Sequence, residues 1–181
     1  MLRSGLSGAR WIDPENYHLT LRFIGDVDGA TARDFTNALG EIEAAPFELR
    51  LDGLGSFGSN KPRAVFADVA PSPALNALRR ANERAARVAG VPPESRNYKA
   101  HVTLARLRGT RPDQVATYIE RQGAVAETFT GSRFVLYSSR NSVGGGPYVV
   151  EAAYDLGDHG AEKADFGYDK ELAEAFGVVE D

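Results

Sequence analysis

The sequence predicts an α+β fold of two small antiparallel sheets flanked by helices. Three observations carry that prediction. A short alternating run occurs twice, as His18-Leu19-Thr20-Leu21 and as His101-Val102-Thr103-Leu104. Two further pairs of alternating runs, Phe47–Leu51 with Ala64–Val69 and Phe134–Ser138 with Tyr148–Tyr154, read as hairpins. Between them lie segments with apolar residues at helical spacing. Hairpins require antiparallel pairing, so an all-parallel doubly wound order is excluded.

The doubled run comes first. A strand has a side-chain period of two, so His18 and Thr20, with Arg22 on the same parity, project from one face. Leu19, Leu21 and Phe23 point to a core on the other. In the second copy Val102 and Leu104 point inward, and His101 and Thr103 point out. Each copy runs into a glycine-bearing turn (Gly25 and Gly29; Gly109) and then an apolar-periodic helix. One strand–turn–helix unit used twice predicts two matching lobes.

The remaining elements follow in chain order. Trp11–Asn16 reads as a loop leading into a strand over Tyr17–Ile24. Thr31 is a candidate N-cap for a helix over Ala32–Ala44, which Pro46 stops. The stretch Gly53-Leu54-Gly55-Ser56-Phe57-Gly58-Ser59-Asn60 reads as a glycine-rich hairpin loop. It lacks the Gly-Lys-Ser/Thr ending of a phosphate-cradling loop. Pro73 suits the first position of the longest helix, to about Ala89, with Arg79, Arg80, Arg84 and Arg87 on a solvated face. Val91-Pro92-Pro93 breaks the chain before the second motif strand, Lys99–Leu107. Pro112–Arg121 reads as a short helix. Residues 140–147 join the last two strands.

Composition sets bounds. With 181 residues, 43% of them hydrophobic, the chain is long enough for a real core. It has no cysteine, so disulfides and thiolate chemistry are excluded. No apolar run suits a signal peptide or a membrane span, and the expectation is a cytoplasmic protein. Net charge is −4, which argues against an extended nucleic-acid groove. Residues 157–181 hold eight acids and two lysines, which leaves +2 on the first 156 residues. A mildly basic body suits the end of a polyanion, and residues 157–181 read as an acidic tail outside a domain at 1–156.

The two histidines are the candidate catalytic pair. Imidazole titrates near neutrality, so one ring can act as base while another acts as acid. Hydrolysis of a cyclic phosphate needs both: one group takes a proton from the attacking water, and the other gives one to the leaving ribose oxygen. The attack is in line, so the pair must flank the phosphorus, as strands from opposed lobes would allow. The hydroxyls of Thr20 and Thr103 are placed to donate to the non-bridging oxygens. A metal site lacks a third ligand of suitable spacing. Glu15 stands three residues before His18, but that spacing aligns ligands only on a helix. His159 reads as exposed and idle.

These motifs resemble the paired His-x-Thr-x signature of the two-histidine (2H) phosphoesterases. The nearest resemblance is to the RNA 2′,3′-cyclic phosphodiesterases, also called 2′-5′ RNA ligases. Trp11–Tyr17 before the first motif, Arg22–Val27 after it, Ala105-Arg106 after the second and Gly146-Pro147-Tyr148 carry the likeness, over about residues 10–156. The resemblance implies two interleaved lobes about a pseudo-twofold axis with a central cleft. It implies hydrolysis of RNA 2′,3′-cyclic phosphate ends to 2′-phosphomonoesters, with no cofactor; the expectation of no metal and no membrane comes from the residues themselves. It also implies His18 as proton donor, His101 as proton acceptor, and Thr20 and Thr103 as phosphate-binding residues. Arg106 is off the His101/Thr103 parity and reaches them only if the strand bends. The substrate implied is an RNA 3′ end, tRNA fragments included, or a small cyclic nucleotide. Reverse 2′-5′ ligation and a non-catalytic module holding nucleotide ends remain open. Family members carry a strand and helix before the Trp11 segment, and here only about ten residues precede it.

Overall fold

The computed structural model describes residues 5–123, 125–138 and 148–157. The chain forms two compact units. The first comprises residues 1–20, 48–71 and 98–129; the second comprises 21–47, 72–97 and 130–181. The chain thus passes between them repeatedly. The acidic tail beyond Gly157, His159 within it and the connection at 140–147 lie outside the described residues.

In chain order the elements are β1 (Ala9–Trp11), α1 (Gly29–Gly40), β2 (Phe47–Phe57), β3 (Ala64–Val69), α2 (Pro73–Val88), β4 (His101–Leu107), α3 (Pro112–Gln122), β5 (Ala126–Gly131), β6 (Arg133–Ser138) and β7 (Val149–Asp155). A 3₁₀ turn at Pro14–Asn16 follows β1. The α+β class with antiparallel sheets is as expected. The first unit is built on a five-stranded sheet ordered β1-β4-β3-β2-β5, and the second contains the hairpin β6-β7.

In the first unit α3 covers one face of the sheet. Val115 and Tyr118 pack with Leu6, Val65 and Leu107, and Trp11 meets Tyr118 at 5.8 Å. Leu54 joins that layer. Its neighbours Gly55 and Phe57 therefore belong to the opposite face, because side chains alternate along a strand.

The second unit packs α1 and α2 with the β6-β7 hairpin. Phe35 and Leu39 of α1, Leu78 and Ala85 of α2, and Phe134, Leu136 and Ala152 of the hairpin form its core. Pro73 opens α2 as expected, after Ser72, whose hydroxyl accepts from Leu75 N at 3.2 Å. The first helix corrects the sequence reading. It starts at Gly29, and its cap is Asp28, not Thr31: the Asp28 carboxylate accepts from Thr31 N at 2.7 Å. That bond holds the carboxyl below its usual range.

Tyr154 stacks on Phe134 at 4.8 Å and donates its hydroxyl to Thr36 O at 3.0 Å. Burial pushes its phenol from the ordinary value near 10 up to about 12. The neutral form is thus favoured by folding. Its contribution is whole below pH 10 and is lost as the pH rises from 10 to 12, where the unfolded chain ionises first. Urea midpoints at pH 8, 10 and 11.5 should therefore fall more steeply for wild type than for Tyr154→Phe. The variant should also lose about 1 kcal/mol at neutral pH with the hydrogen bond. Parallel declines would contradict this account.

Three expected elements differ. The first motif does not form a strand over Tyr17–Ile24; only Leu19 pairs, in a single bridge to Val102. Gly53–Phe57, read as loop, continues β2, with a register shift between Leu51 and Leu54. Trp11, also read as loop, ends an edge strand.

Candidate active site

Strand β4 is paired along one edge by two separate pieces of chain. β1 pairs with its far end, Ala9 opposite Leu107 and Trp11 opposite Ala105. Ile12 N then donates to Leu104 O at 2.9 Å. The Pro14–Asn16 turn carries the chain out, and it returns with Leu19 opposite Val102. Pro14 suits the first turn position, and Asn16 N and Tyr17 N close the turn on Asp13 O and Pro14 O. The excursion sets the position of the first motif.

The bridge fixes the faces. Val102 is buried, so its bridge partner Leu19 shares its side and His18 and Thr20 emerge on the other. Antiparallel pairing about that bridge sets His18 across from Thr103 and Thr20 across from His101. The four side chains make a square with a local twofold through the Leu19–Val102 bridge. The histidines occupy one diagonal, with Cβ atoms about 7–8 Å apart by the usual cross-strand spacing.

The same twofold governs the ring orientations. His18 Nδ1 lies 2.9 Å from Asn16 O, and His101 Nδ1 lies 2.7 Å from Lys99 O. In both motifs the partner is the carbonyl two residues upstream. A carbonyl oxygen only accepts, so Nδ1 carries the hydrogen in each ring. Nε2 is the ring nitrogen that this carbonyl does not engage.

His101 is also held by aromatic rings. Phe57 meets it edge-on at 4.8 Å and 82°, and Phe66 at 5.4 Å and 63°. Those two phenyl rings lie 4.3 Å apart. Phe66 in turn lies over Gly55. A Cβ at Gly55 would sit 2.5 Å from Phe66 Cζ, so only glycine admits the ring there. The sequence reading missed both phenylalanines and took Gly55 for a loop residue. The signal was the odd parity of Phe57 and Gly55 against Leu54.

The expectation that each motif occupies its own lobe is corrected. His18, Thr20, His101 and Thr103 all belong to the first unit, where the Leu19–Val102 bridge sets the first motif beside β4. Arg22 does not continue the His18/Thr20 face. It lies in the second unit, where its buried side chain pairs with Glu83 at 2.6 Å.

Arg106 differs from expectation in the other direction. On β3, which is regular here, Ala64 opposes Arg106 and Phe66 opposes Thr103, with the register shift taken up by Leu104. Ala64 and Phe66 share a face, so Arg106 and Thr103 share it too. The bulge returns Arg106 to the histidine side, where it is exposed. Parity counting from sequence cannot see a bulge. Arg10 opposes Arg106 from β1 and is exposed on the same side. Lys99 also belongs to this region, but its ammonium is paired with Asp68 at 2.8 Å.

Among the described residues no group of three or more His, Cys, Asp or Glu side chains is placed to hold a metal ion. No described helix is long and apolar enough to cross a membrane.

Comparison with known proteins places this geometry in a lineage. Residues 1–67 and 68–148 each match the family described as LigT like phosphoesterase. The chain belongs to the LigT-like phosphoesterase family. Among curated proteins of similar sequence, one from Geobacillus stearothermophilus is 35% identical over 138 residues, which are 74% of this chain and 44% of that protein. One from Aeropyrum pernix is 37% identical over 102 residues, 55% of this chain and 58% of that protein. Both are named RNA 2′,3′-cyclic phosphodiesterase. The chain spans about half the length of the curated relatives it matches. Among LigT-like folds already solved, TT0787 of Thermus thermophilus aligns over 86% of both chains, with a TM-score of 0.68 and 24% identity. Escherichia coli LigT complexed with 3′-AMP aligns over 83% of both, with a TM-score of 0.63 and 21% identity. These two likenesses bear on the fold alone.

Proposed function

We propose that this LigT-like chain hydrolyses 2′,3′-cyclic phosphate ends of RNA to 2′-phosphomonoesters without a metal. The observation that carries the reading is the square of two histidines and two threonines, each histidine with Nδ1 turned to its own backbone. The names of the relatives support the same reaction.

The square treats the two rings alike, so the steps take the donor and acceptor roles from the resemblance of the two motifs to the family signature. His101 Nε2 takes a proton from water as the water oxygen bonds to phosphorus. The P–O3′ bond breaks on the opposite side, and His18, protonated at Nε2, gives its proton to the departing 3′ oxygen. The product is a 2′-phosphate with a free 3′-hydroxyl. Thr20 and Thr103 lie on the other diagonal and donate to the non-bridging oxygens, where charge accumulates. With a 5′-hydroxyl attacking in place of water, the same step would break the P–O3′ bond and join two RNA ends through a 2′-5′ bond, the 5′ oxygen's proton going to His101 and His18's proton to the 3′ oxygen. Residues 1–156 carry the reaction, and the substrate is an RNA 3′ end, a tRNA fragment being one such.

The test is hydrolysis of a short RNA ending in a 2′,3′-cyclic phosphate, in EDTA, with 2′- and 3′-phosphate products resolved. The 2′-phosphate alone is expected. Turnover of a small cyclic nucleotide but not of the RNA would move the substrate to that class. Folded protein with no turnover of either would leave a module that holds nucleotide ends.

A further inference from the structure

Of the cations on the histidine side of the first sheet, Lys99 is answered by Asp68. Arg106 and Arg10 are not: among the described residues neither guanidinium has a hydrogen bond or an ion pair. They lie directly opposite each other across β1 and β4. Like charges in that position destabilise a sheet. A fold that sets two unanswered arginines side by side, both exposed, is built to receive an anion from solution.

Their place relative to the square indicates which anion. Along β4 the order is His101, Thr103, Arg106; along the facing edge it is Thr20, His18, Arg10, read in the same direction. Both arginines therefore stand past the end of the square that holds Thr103 and His18. Arg106 is about two strand steps from Thr103 once the bulge is discounted, roughly 7 Å at the usual rise. If His18 protonates the departing 3′ oxygen, the ribose of the terminal nucleotide lies on His18's side. The rest of the RNA leaves the site from that ribose, through its 5′ oxygen. The first negative charge it meets is the phosphodiester joining the last two nucleotides.

Resting on the assignment of His18 as donor, we propose that Arg10, beside Arg106, binds that last internucleotide phosphate. Arg10 then selects an RNA strand over a mononucleotide. Arg106, next to Thr103 on β4, is the nearer of the two to the cyclic phosphate, and Arg10 on β1 is the one left for the strand.

The experiment measures binding, so it needs no turnover. The probes are a diadenosine ending in a 2′-phosphate, its isostere with a neutral methylphosphonate linkage, and adenosine 2′-monophosphate. Wild type should bind the phosphodiester about tenfold more tightly than the methylphosphonate, the scale of one charge-assisted contact. Arg10→Met should collapse that ratio toward one, while Arg10→Lys should keep most of it. A structural role for Arg10 would lower all three affinities together. The methionine variant should also melt no lower than wild type, since it relieves a like-charge contact. A wild-type ratio near one, or a ratio that survives in Arg10→Met, overturns the proposal. If the ratio behaves as expected but no hydrolysis occurs, the Arg10 site stands and the hydrolytic reading falls. If wild type binds none of the probes, both fall.

Discussion

His101→Ala is expected to lower kcat on a cyclic-phosphate RNA end by about 10²–10⁴-fold, the range for loss of a positioned acid or base. His18→Ala should do the same. KM should move little, because the proposed phosphate contacts of Thr20 and Thr103 are unchanged. The double variant should be little worse than either single one, since the groups act in one step and their effects do not add. His101→Asn is a useful companion: its amide reaches the Lys99 carbonyl that His101 Nδ1 now meets at 2.7 Å, but it exchanges no proton. It should be as inactive as the alanine variant. Substantial turnover in both single alanine variants would sink the paired-histidine mechanism.

Gly55→Ala is expected to injure the site from beneath. Its added carbon would meet two atoms of the Phe66 ring at 2.5 and 2.7 Å. Phe66 is 2% exposed and cannot swing into solvent. The strain should cost about 1–3 kcal/mol of stability, as overpacking does. The ring would shift against Phe57 and His101, its two aromatic neighbours. Under the proposed mechanism a displaced His101 is costly, and kcat should fall by up to about 10²-fold. Phe66→Leu in the same chain makes room and should restore part of both losses. An unchanged kcat in stably folded Gly55→Ala would show that the aromatic seat does not position His101.

Much of this was legible in the sequence. The doubled motif exposed the histidines and threonines because alternation and repetition are local signals. The helices around Leu39 and Leu78 were legible for the same reason, through their apolar spacing. What was hidden depended on pairing between distant segments. Strand β5 is exposed almost throughout, so no apolar alternation marks Ala126–Gly131; it exists because β2 offers an edge. The return of Arg106 to the histidine side rests on one bulged residue, Leu104. The seat of the first motif depends on a turn at Pro14–Asn16 that places Leu19 opposite Val102. No count along the chain shows that the two motifs are neighbours in one sheet.

The single bridge under the first motif has a thermal consequence. His101 sits in β4, opposite Asp68 in the ladder with β3, so it is released only when that ladder opens. His18 is fastened beside Leu19, at a seam where the ladder has been interrupted. Segments with few backbone bonds open locally at a fraction of the global free energy. His18 should therefore come loose before the fold does. On slow heating, catalytic activity should decline several degrees below the cooperative melt seen by circular dichroism, and cooling from that window should restore it in full. Amide exchange at Leu19 should be fast while Val65 and Ala105 stay protected.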